Sequence, residues 1–264
     1  MAVPDRALER LAALGRTPAP PGLLETALRR AGTGYWYAEA QSPLGPVLVG
    51  HGPRGIAAVR LAADGGDVFE AWFHAEHGLR IRPEAALPDA IRDAFEACLA
   101  GRRKVVPLDL GGRTAFQQSV LRAAGTIPRG QVRTYGWVAR EIGHPAAVRA
   151  VGTALARNPV PLAIPCHRVV PSDLHLGRYS CGGPEQKRQA LLSEGLDLDR
   201  LERLAAAGVR FVGSDTTHVF CTPSCAAAVR IAPSHEVRFS SEREARSAGY
   251  RPCSLCRPAG AEAA

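Results

Sequence analysis

A chain of 264 residues with 46% hydrophobic side chains has material for packed cores, which excludes wholesale disorder and favours two domains over one. Its net charge of +8 points to a polyanionic partner such as nucleic acid. No apolar run follows the charged start and no 18-residue apolar span occurs, so neither a secretion signal nor a membrane helix is expected, and the expected compartment is the cytoplasm, at the nucleoid. Seven cysteines in such a chain suggest reduced thiols and metal ligands rather than disulfides.

Residues 1–33 read as an extension, helical at its ends and broken by Thr17-Pro18-Ala19-Pro20-Pro21-Gly22. From 34 to 110 the pattern is mixed. Pro43-Leu44-Gly45-Pro46 reads as a turn, with Val47-Leu48-Val49 and Ile56 to Leu61 as strands. Phe69 to His77 and Asp89 to Ala100 have helical spacing, with Ile91, Phe95 and Leu99 on one face and Cys98 next to it. From 111 to 196 short helices dominate. Thr114 caps a helix to Ala124, and Thr134 caps another from Tyr135 to Ile142. Gly143-His144-Pro145 breaks the chain before a third helix, about Ala146 to Arg157, which makes a helix-turn-helix. A helix from about Pro184 to Glu194 stops at Gly195. Residues 197–208 read as a helical linker, 209–258 as a second compact unit and 259–264 as a tail. Between Gly111 and Pro171 stand eight arginines (113, 122, 129, 133, 140, 149, 157, 168) against one acid, Glu141. Genome bias accounts for arginine over lysine but not for the missing acids.

The run Pro165-Cys166-His167-Arg168 lies inside the apolar stretch Ile164 to Val170. A cysteine flanked by histidine and arginine is expected to have a lowered pKa, because positive charge favours the nucleophilic thiolate. A buried structural cysteine beside a basic pair is the alternative, and this motif alone leaves both open. Neighbouring side chains on an extended segment point to opposite faces, so direct contact between Cys166 and His167 is awkward.

Four blocks carry a resemblance. Gly130-Gln131-Val132-Arg133-Thr134-Tyr135, Val148-Arg149-Ala150-Val151-Gly152, Asn158-Pro159-Val160-Pro161 and Ile164 to Val170 together resemble the O6-alkylguanine-DNA alkyltransferases, the methylated-DNA–protein-cysteine methyltransferase family. The likeness covers roughly residues 34 to 195. It implies an α/β (α+β) architecture: a ribonuclease-H-like N-terminal subdomain and a helical, winged helix-turn-helix-like catalytic subdomain, here followed by a small zinc-binding α+β domain. It implies DNA repair by suicide transfer of a methyl or alkyl group from O6-alkylguanine, with O4-alkylthymine as a further substrate, onto Cys166. It also implies a water between the thiol and His167, with Glu194 orienting His167, and Asn158 supporting the turn before the site. Arg149 matches the residue that fills the space of a flipped base, and Tyr135 the tyrosine that assists rotation and polarises the purine. Ala147, Ala150 and Gly152 match the small residues that let a helix approach a minor groove, whose readout is degenerate. Val169, Tyr179 and Ser180 match the substrate pocket. The implied partner is double-stranded DNA carrying alkylated guanine, bound by a monomer without any membrane. Two departures stand out. Leu174 follows Ser172-Asp173 where the family usually has glycine, and Tyr179-Ser180-Cys181-Gly182-Gly183 is one residue longer than the common pattern.

Cys221, Cys225, Cys253 and Cys256 form two close pairs that suit one tetrahedral zinc ion. Residues 209–258, with Phe211-Val212-Gly213-Ser214 and Ala248-Gly249-Tyr250-Arg251-Pro252-Cys253, resemble the metal-binding domain of Ada-type proteins. There the cysteine matching Cys221 can take methyl from a DNA phosphotriester. Ala226-Ala227-Ala228-Val229 replaces the basic residues that follow the second cysteine in Ada, so a structural or DNA-docking role is expected instead. Three readings compete with repair: a lesion-binding protein that does not react, a methylation-sensing transcription regulator, and a cysteine hydrolase. Cys166 counts against the first. The adjacency of Cys and His counts against the last.

Overall fold

The computed structural model describes Pro20, residues 22–102 and residues 106–258; the rest of the extension expected at 1–33 and the tail expected at 259–264 lie outside the described residues. Helix α1 (Leu23–Ala31) is held by polar contacts: Arg29 stacks on Trp36 at 4.5 Å and pairs with Glu84 at 3.2 Å. The strands β1 (Tyr35–Ser42), β2 (Gly45–Gly52) and β3 (Gly55–Leu61) form an antiparallel meander, and β4 (Ile81–Pro83), which the sequence reading missed, joins β1 in parallel. The order is β3-β2-β1-β4. Val47, Val49, Ile56 and Val59 belong to one core, while Leu48, Ala57 and Ala58 pack with Phe69 and Phe73 of helix α2 (Gly66–His77). Cover on both faces explains the continuous apolar runs of β2 and β3. Helix α3 (Asp89–Leu99) adds Ala94 and Phe95 to the larger core.

That larger core continues into the helices that follow. Helix α4 (Ala115–Gly125) opens with a Thr114–Gln117 capping box. Thr134 caps α5 (Tyr135–Glu141) by accepting from the Trp137 backbone N–H at 3.1 Å. After a break at 142–147 comes α6 (Val148–Ala156). Val120, Leu121, Val138, Val151 and Leu155 interlock the three helices. Two short parallel strands, β5 (Arg133–Thr134) and β6 (Val169–Val170), tie the start of α5 to the segment after Cys166. Helix α7 (Pro184–Ser193) begins with proline in its first turn and ends at Gly195, whose φ of 81° suits glycine.

The segment expected to be a linker is packed. Helix α8 (Leu198–Ala206) buries Leu198, Leu201 and Ala205 against Val132, Val170, Leu174 and Leu191, and buries Leu204 against Val209, Val212 and the four-cysteine cluster. The last unit has strands β7 (Phe211–Ser214), β8 (Val219–Cys221), β9 (Glu236–Phe239) and β10 (Arg251–Pro252) in the order β10-β8-β7-β9, with α9 (Ala226–Val229) and α10 (Glu242–Ser247). Phe211, Phe220, Phe239 and Tyr250 fill one core and the cysteines another. Among the described residues no helix is long and apolar enough to cross a membrane.

The N-terminal sheet positions the later site through β3. The Val59 N–H donates to the Pro159 carbonyl at 2.8 Å, and Ile56 exchanges backbone bonds with Pro107 and Asp109 at 2.9 and 2.8 Å. The turn before β3 needs Gly55: its φ is 120°, and a Cβ there would lie 2.2 Å from the Pro107 oxygen. Gly55→Ala should therefore cost about 2 kcal/mol or more, combining left-handed strain with overpacking. Urea unfolding checks this; a loss below about 0.5 kcal/mol would contradict the close approach.

Candidate active site and metal centre

Cys166, His167 and Arg168 occupy a single 3-10 turn, not the extended segment expected. Prolines at 159, 161 and 165 deny the approach any regular ladder, and one side chain organises it instead. The Asn158 carbonyl oxygen accepts from the Val160 N–H at 3.1 Å, while its amide nitrogen donates to the Ile164 carbonyl at 3.0 Å and to Cys166 Sγ at 3.1 Å. His167 is buried, with Nε2 2.8 Å from Glu194 Oε1. A carboxylate only accepts, so Nε2 carries the proton and Nδ1 keeps a free lone pair. Arg168 grips the same carboxylate through Nε at 2.8 Å and Nη2 at 2.7 Å, and donates from Nη1 to the Ile127 carbonyl at 2.6 Å. Glu194 also accepts from the Gly130 N–H at 3.3 Å; Gly130 has φ 70°, and a Cβ there would lie 3.0 Å from the Glu194 carbonyl oxygen.

The thiol pKa is opposite to expectation. Burial pushes the Cys166 thiol up, only partly offset by the Asn158 hydrogen bond and by the Lys187 ammonium. The flanking cations do not help, because Arg168 turns to Glu194 and His167 is pushed down by burial and stays neutral. Adjacency in sequence was read as adjacency of charge, and the turn undoes it. Lys187, which sequence reasoning missed, is the cation that matters. It is 1% exposed, donates to the Val169 carbonyl at 2.7 Å, and is lowered to about 8 by burial. The signal was present: this chain has two lysines against its many arginines, and Lys187 shares an inward face with Ala190 and Leu191.

A cavity of about 430 Å³ opens beside the loop, lined by Asn158, Pro161, Ser180, Cys181, Arg157, Trp72 and neighbours. The Cys181 thiol is pushed up to about 12 by burial and by Cys166. Tyr179 is buried and meets His167 edge to face at 6.1 Å, and Val169 is fully buried in the core; neither lines the cavity. His167 Nδ1 and the Tyr179 hydroxyl are among the buried polar atoms that lack partners among the described residues. Such groups normally find water or a ligand. Burial raises Tyr135, and the Cys166 charge adds to this.

On α6, Arg149 and Ala150 are exposed and Gly152 is half-buried facing the Tyr135 ring; Ala147, which caps the helix, is also half-buried. Of the eight arginines only Arg133 is buried; Arg113 and Arg168 are half-buried, and Arg122, Arg129, Arg140, Arg149 and Arg157 are exposed. Arg113 pairs with Glu76, Arg168 with Glu194, Arg129 and Arg140 donate to backbone carbonyls, and Arg133 is buried. Neither Arg149 nor Arg157 pairs with an acid among the described residues. Leu174, at the position where glycine was anticipated, is buried at φ 65°, so its side chain accepts left-handed strain in exchange for packing.

The four cysteine sulfurs lie within 4.8 Å of one another, and all four residues are buried. Tetrahedral thiolates at ~2.3 Å from zinc stand ~3.8 Å apart, so the donor set fits one zinc ion. The Thr222 N–H points to Cys256 Sγ at 3.4 Å, and hydrogen bonds from the Cys221 and Cys256 thiols, then from the Ala227 and Ala228 N–H groups, draw Cys225 down. Cys221 also lines an open cavity of about 430 Å³ with Thr216, Thr217, Arg230 and His235.

The mixed α/β unit with its buried cysteine and helix-turn-helix, and the four-thiol centre joined to it, each have known counterparts. The family description 6-O-methylguanine DNA methyltransferase, DNA binding domain, matches residues 115–196, and metal binding domain of Ada matches residues 201–259. A methylated-DNA–protein-cysteine methyltransferase of Methanosarcina acetivorans is 37% identical over 150 residues, which is 56% of this chain and 90% of that protein. The bifunctional transcriptional activator/DNA repair enzyme Ada of Escherichia coli is 37% identical over 171 residues, 62% of this chain and 46% of Ada. The crystal structure of the Mycobacterium tuberculosis O6-methylguanine methyltransferase matches with a TM-score of 0.50 and 33% identity, over 61% of this chain and 92% of that one. The chain belongs to the methylated-DNA–protein-cysteine methyltransferase family.

Glu194 gives a pH test. Burial alone would raise it, but hydrogen bonds from His167 and Arg168 outweigh burial and hold it at about 2, below its ordinary 4.5. A depressed carboxylate stabilises the fold above its unfolded pKa and loses that contribution as pH falls through the folded one. Glu194→Gln should therefore cost about 3 kcal/mol at neutral pH, and the gap from wild type should close between about pH 4.5 and 2. Urea unfolding across that range checks it; a gap independent of pH would contradict the assignment.

Proposed function

We propose that the protein repairs DNA by single-turnover transfer of a methyl or larger alkyl group from O6-alkylguanine to Cys166. The observation that carries this reading is the free lone pair at His167 Nδ1, fixed by the Nε2 bond to Glu194 beside a buried thiol. The thiol proton passes to Nδ1, directly or through one water. Sulfur then attacks the alkyl carbon, forming S–C as C–O6 breaks, and the electron pair stays on the guanine. Glu194 and Arg168 hold the imidazole as it takes the charge, and the Lys187 ammonium and Asn158 amide steady the developing thiolate. The Tyr135 hydroxyl supplies a proton to the departing purine. The Tyr179 hydroxyl, which has no hydrogen-bond partner among the described residues, and Ser180 bind the base. Val169 packs behind it.

The same reading makes double-stranded DNA with alkylated guanine the partner, engaged by a monomer at the cytoplasmic nucleoid. Because the base is stacked in the duplex, it is flipped before reaction. Arg149, free of acids, enters the stack, while Ala147, Ala150 and Gly152 let α6 approach the minor groove. Residues 34–110 buttress the site, 111–196 carry it, and 209–258 hold zinc through Cys221, Cys225, Cys253 and Cys256. Bound zinc keeps its thiolates ionised at neutral pH. A second reading, methyl transfer from DNA phosphotriesters to Cys221, is favoured by one feature: Cys221 borders the cavity that also exposes Arg230.

Cys166→Ser should bind O6-methylguanine duplex without accepting methyl; transfer at the wild-type rate would sink the assignment. Arg149→Ala should slow transfer from duplex by roughly tenfold or more while sparing transfer from the free base, because unstacking costs a few kcal/mol only in the duplex. Equal slowing on both substrates would remove its flipping role. For Cys221, intact mass after exposure to methyl-phosphotriester DNA decides: no gain leaves the zinc module without acceptor chemistry.

A further inference from the structure

The second unit is bonded to the first where the first is most sensitive. The Val132 N–H donates to Ser224 Oγ at 2.9 Å, and Ser224 donates back to the Val132 carbonyl at 3.2 Å. Trp137 Nε1 donates to the carbonyl of Cys256 at 2.9 Å. Arg140 reaches the carbonyls of Arg257 and Pro258, and Arg257 pairs with Glu141. These partners on the catalytic side are the residue that leads into β5 and three residues of α5, the elements that set Tyr135. Because β5 pairs with β6, the same contacts reach the strand that leaves the Cys166 turn.

Between them sits Arg133. Its residue is 3% exposed. Nη1 donates to its neighbour Val132's carbonyl at 2.9 Å and Nη2 to Gln131 Oε1 at 2.7 Å, while buried Nε has no partner among the described residues. The guanidinium lies 5.7 Å from the centre of the Trp137 ring. No carboxylate pairs with it among the described residues; the contacts on either side of it lead to the metal centre, Val132 to Ser224 beside Cys225 and Trp137 to the Cys256 carbonyl. An uncompensated buried cation costs several kcal/mol. Four thiolates around Zn²⁺ leave two negative charges, which are as costly to bury alone. Each group supplies what the other lacks.

We infer that Arg133 is the internal counter-ion of the zinc-thiolate centre, and that metal loading thereby braces β5 and the start of α5. Arg133 is a positioning residue, acting on Tyr135 through Thr134. The zinc module is then a working part of the alkyltransferase and not a passenger. The inference rests on zinc binding and not on alkyl transfer, so it can fail alone.

The test uses the full chain loaded with zinc alone. Arg133→Met should release zinc to a competing chelator at least tenfold faster than wild type, and Arg133→Lys should restore most of the retention, because it keeps charge while changing shape. A packing role would make the two variants alike, and that result overturns the proposal, as does wild-type retention by Arg133→Met. Should Arg133→Met fail to fold, the wild type suffices: zinc removal should raise hydrogen exchange at amides 132–138 at least tenfold. Unchanged exchange there also overturns it.

Discussion

Burial of the reactive sulfur is the constraint on which the rest of this structure depends. A thiol out of water is reluctant to ionise, and no cation beside it in sequence relieves that. The resting site is therefore neutral thiol beside neutral imidazole. In the proposed reaction charge arises only when the thiol proton passes to His167, ahead of alkyl transfer. In that proposal the groups around Cys166 serve this step. Asn158 donates to the sulfur, Lys187 waits as a buried ammonium, and Glu194 fixes which nitrogen of His167 is free. Burial of this kind shields the sulfur from oxidants and stray electrophiles, as the proposed single-turnover transfer requires.

The fold supplies the rigidity such a site needs. The Asn158–Pro161 loop leans on β3 through Val59 and Pro159, so the N-terminal sheet is a wall of the site. Glu194 is held at the end of α7, where the turn at Gly130 closes against it, and Arg168 bridges that carboxylate to Ile127. Sheet, helix and turn therefore meet on one carboxylate and one loop. The four-thiol module adds a third support, through Val132 and Trp137.

Much of this was legible in the sequence. Thr114 and Thr134 announced their helices because a cap is a local event, and Gly195 marked a turn that needs its conformation. The two cysteine pairs were readable because tetrahedral ligation demands four soft donors at short spacing. Other features depend on through-space neighbours. Arg168 looked like an activator of Cys166 until its guanidinium was seen on Glu194. The acid-poor stretch holds eight arginines whose uses the sequence does not separate: Arg113 and Arg168 pair with carboxylates, Arg133 is buried, and Arg149 and Arg157 are exposed without an acid partner among the described residues. Residues 197–208 looked like a linker because their amphipathic pattern does not say which two cores they join. Lys187 was overlooked because a lone lysine on a helix reads as solvated.

Peptide-resolved mass spectrometry of wild-type protein after exposure to excess O6-methylguanine duplex tests the central claim most directly. The account predicts that the peptide containing Cys166 gains one methyl in place of hydrogen, once per chain, with no further gain on a second exposure. Methyl on any other residue with Cys166 unmodified, or repeated turnover with the protein's mass unchanged, would contradict it.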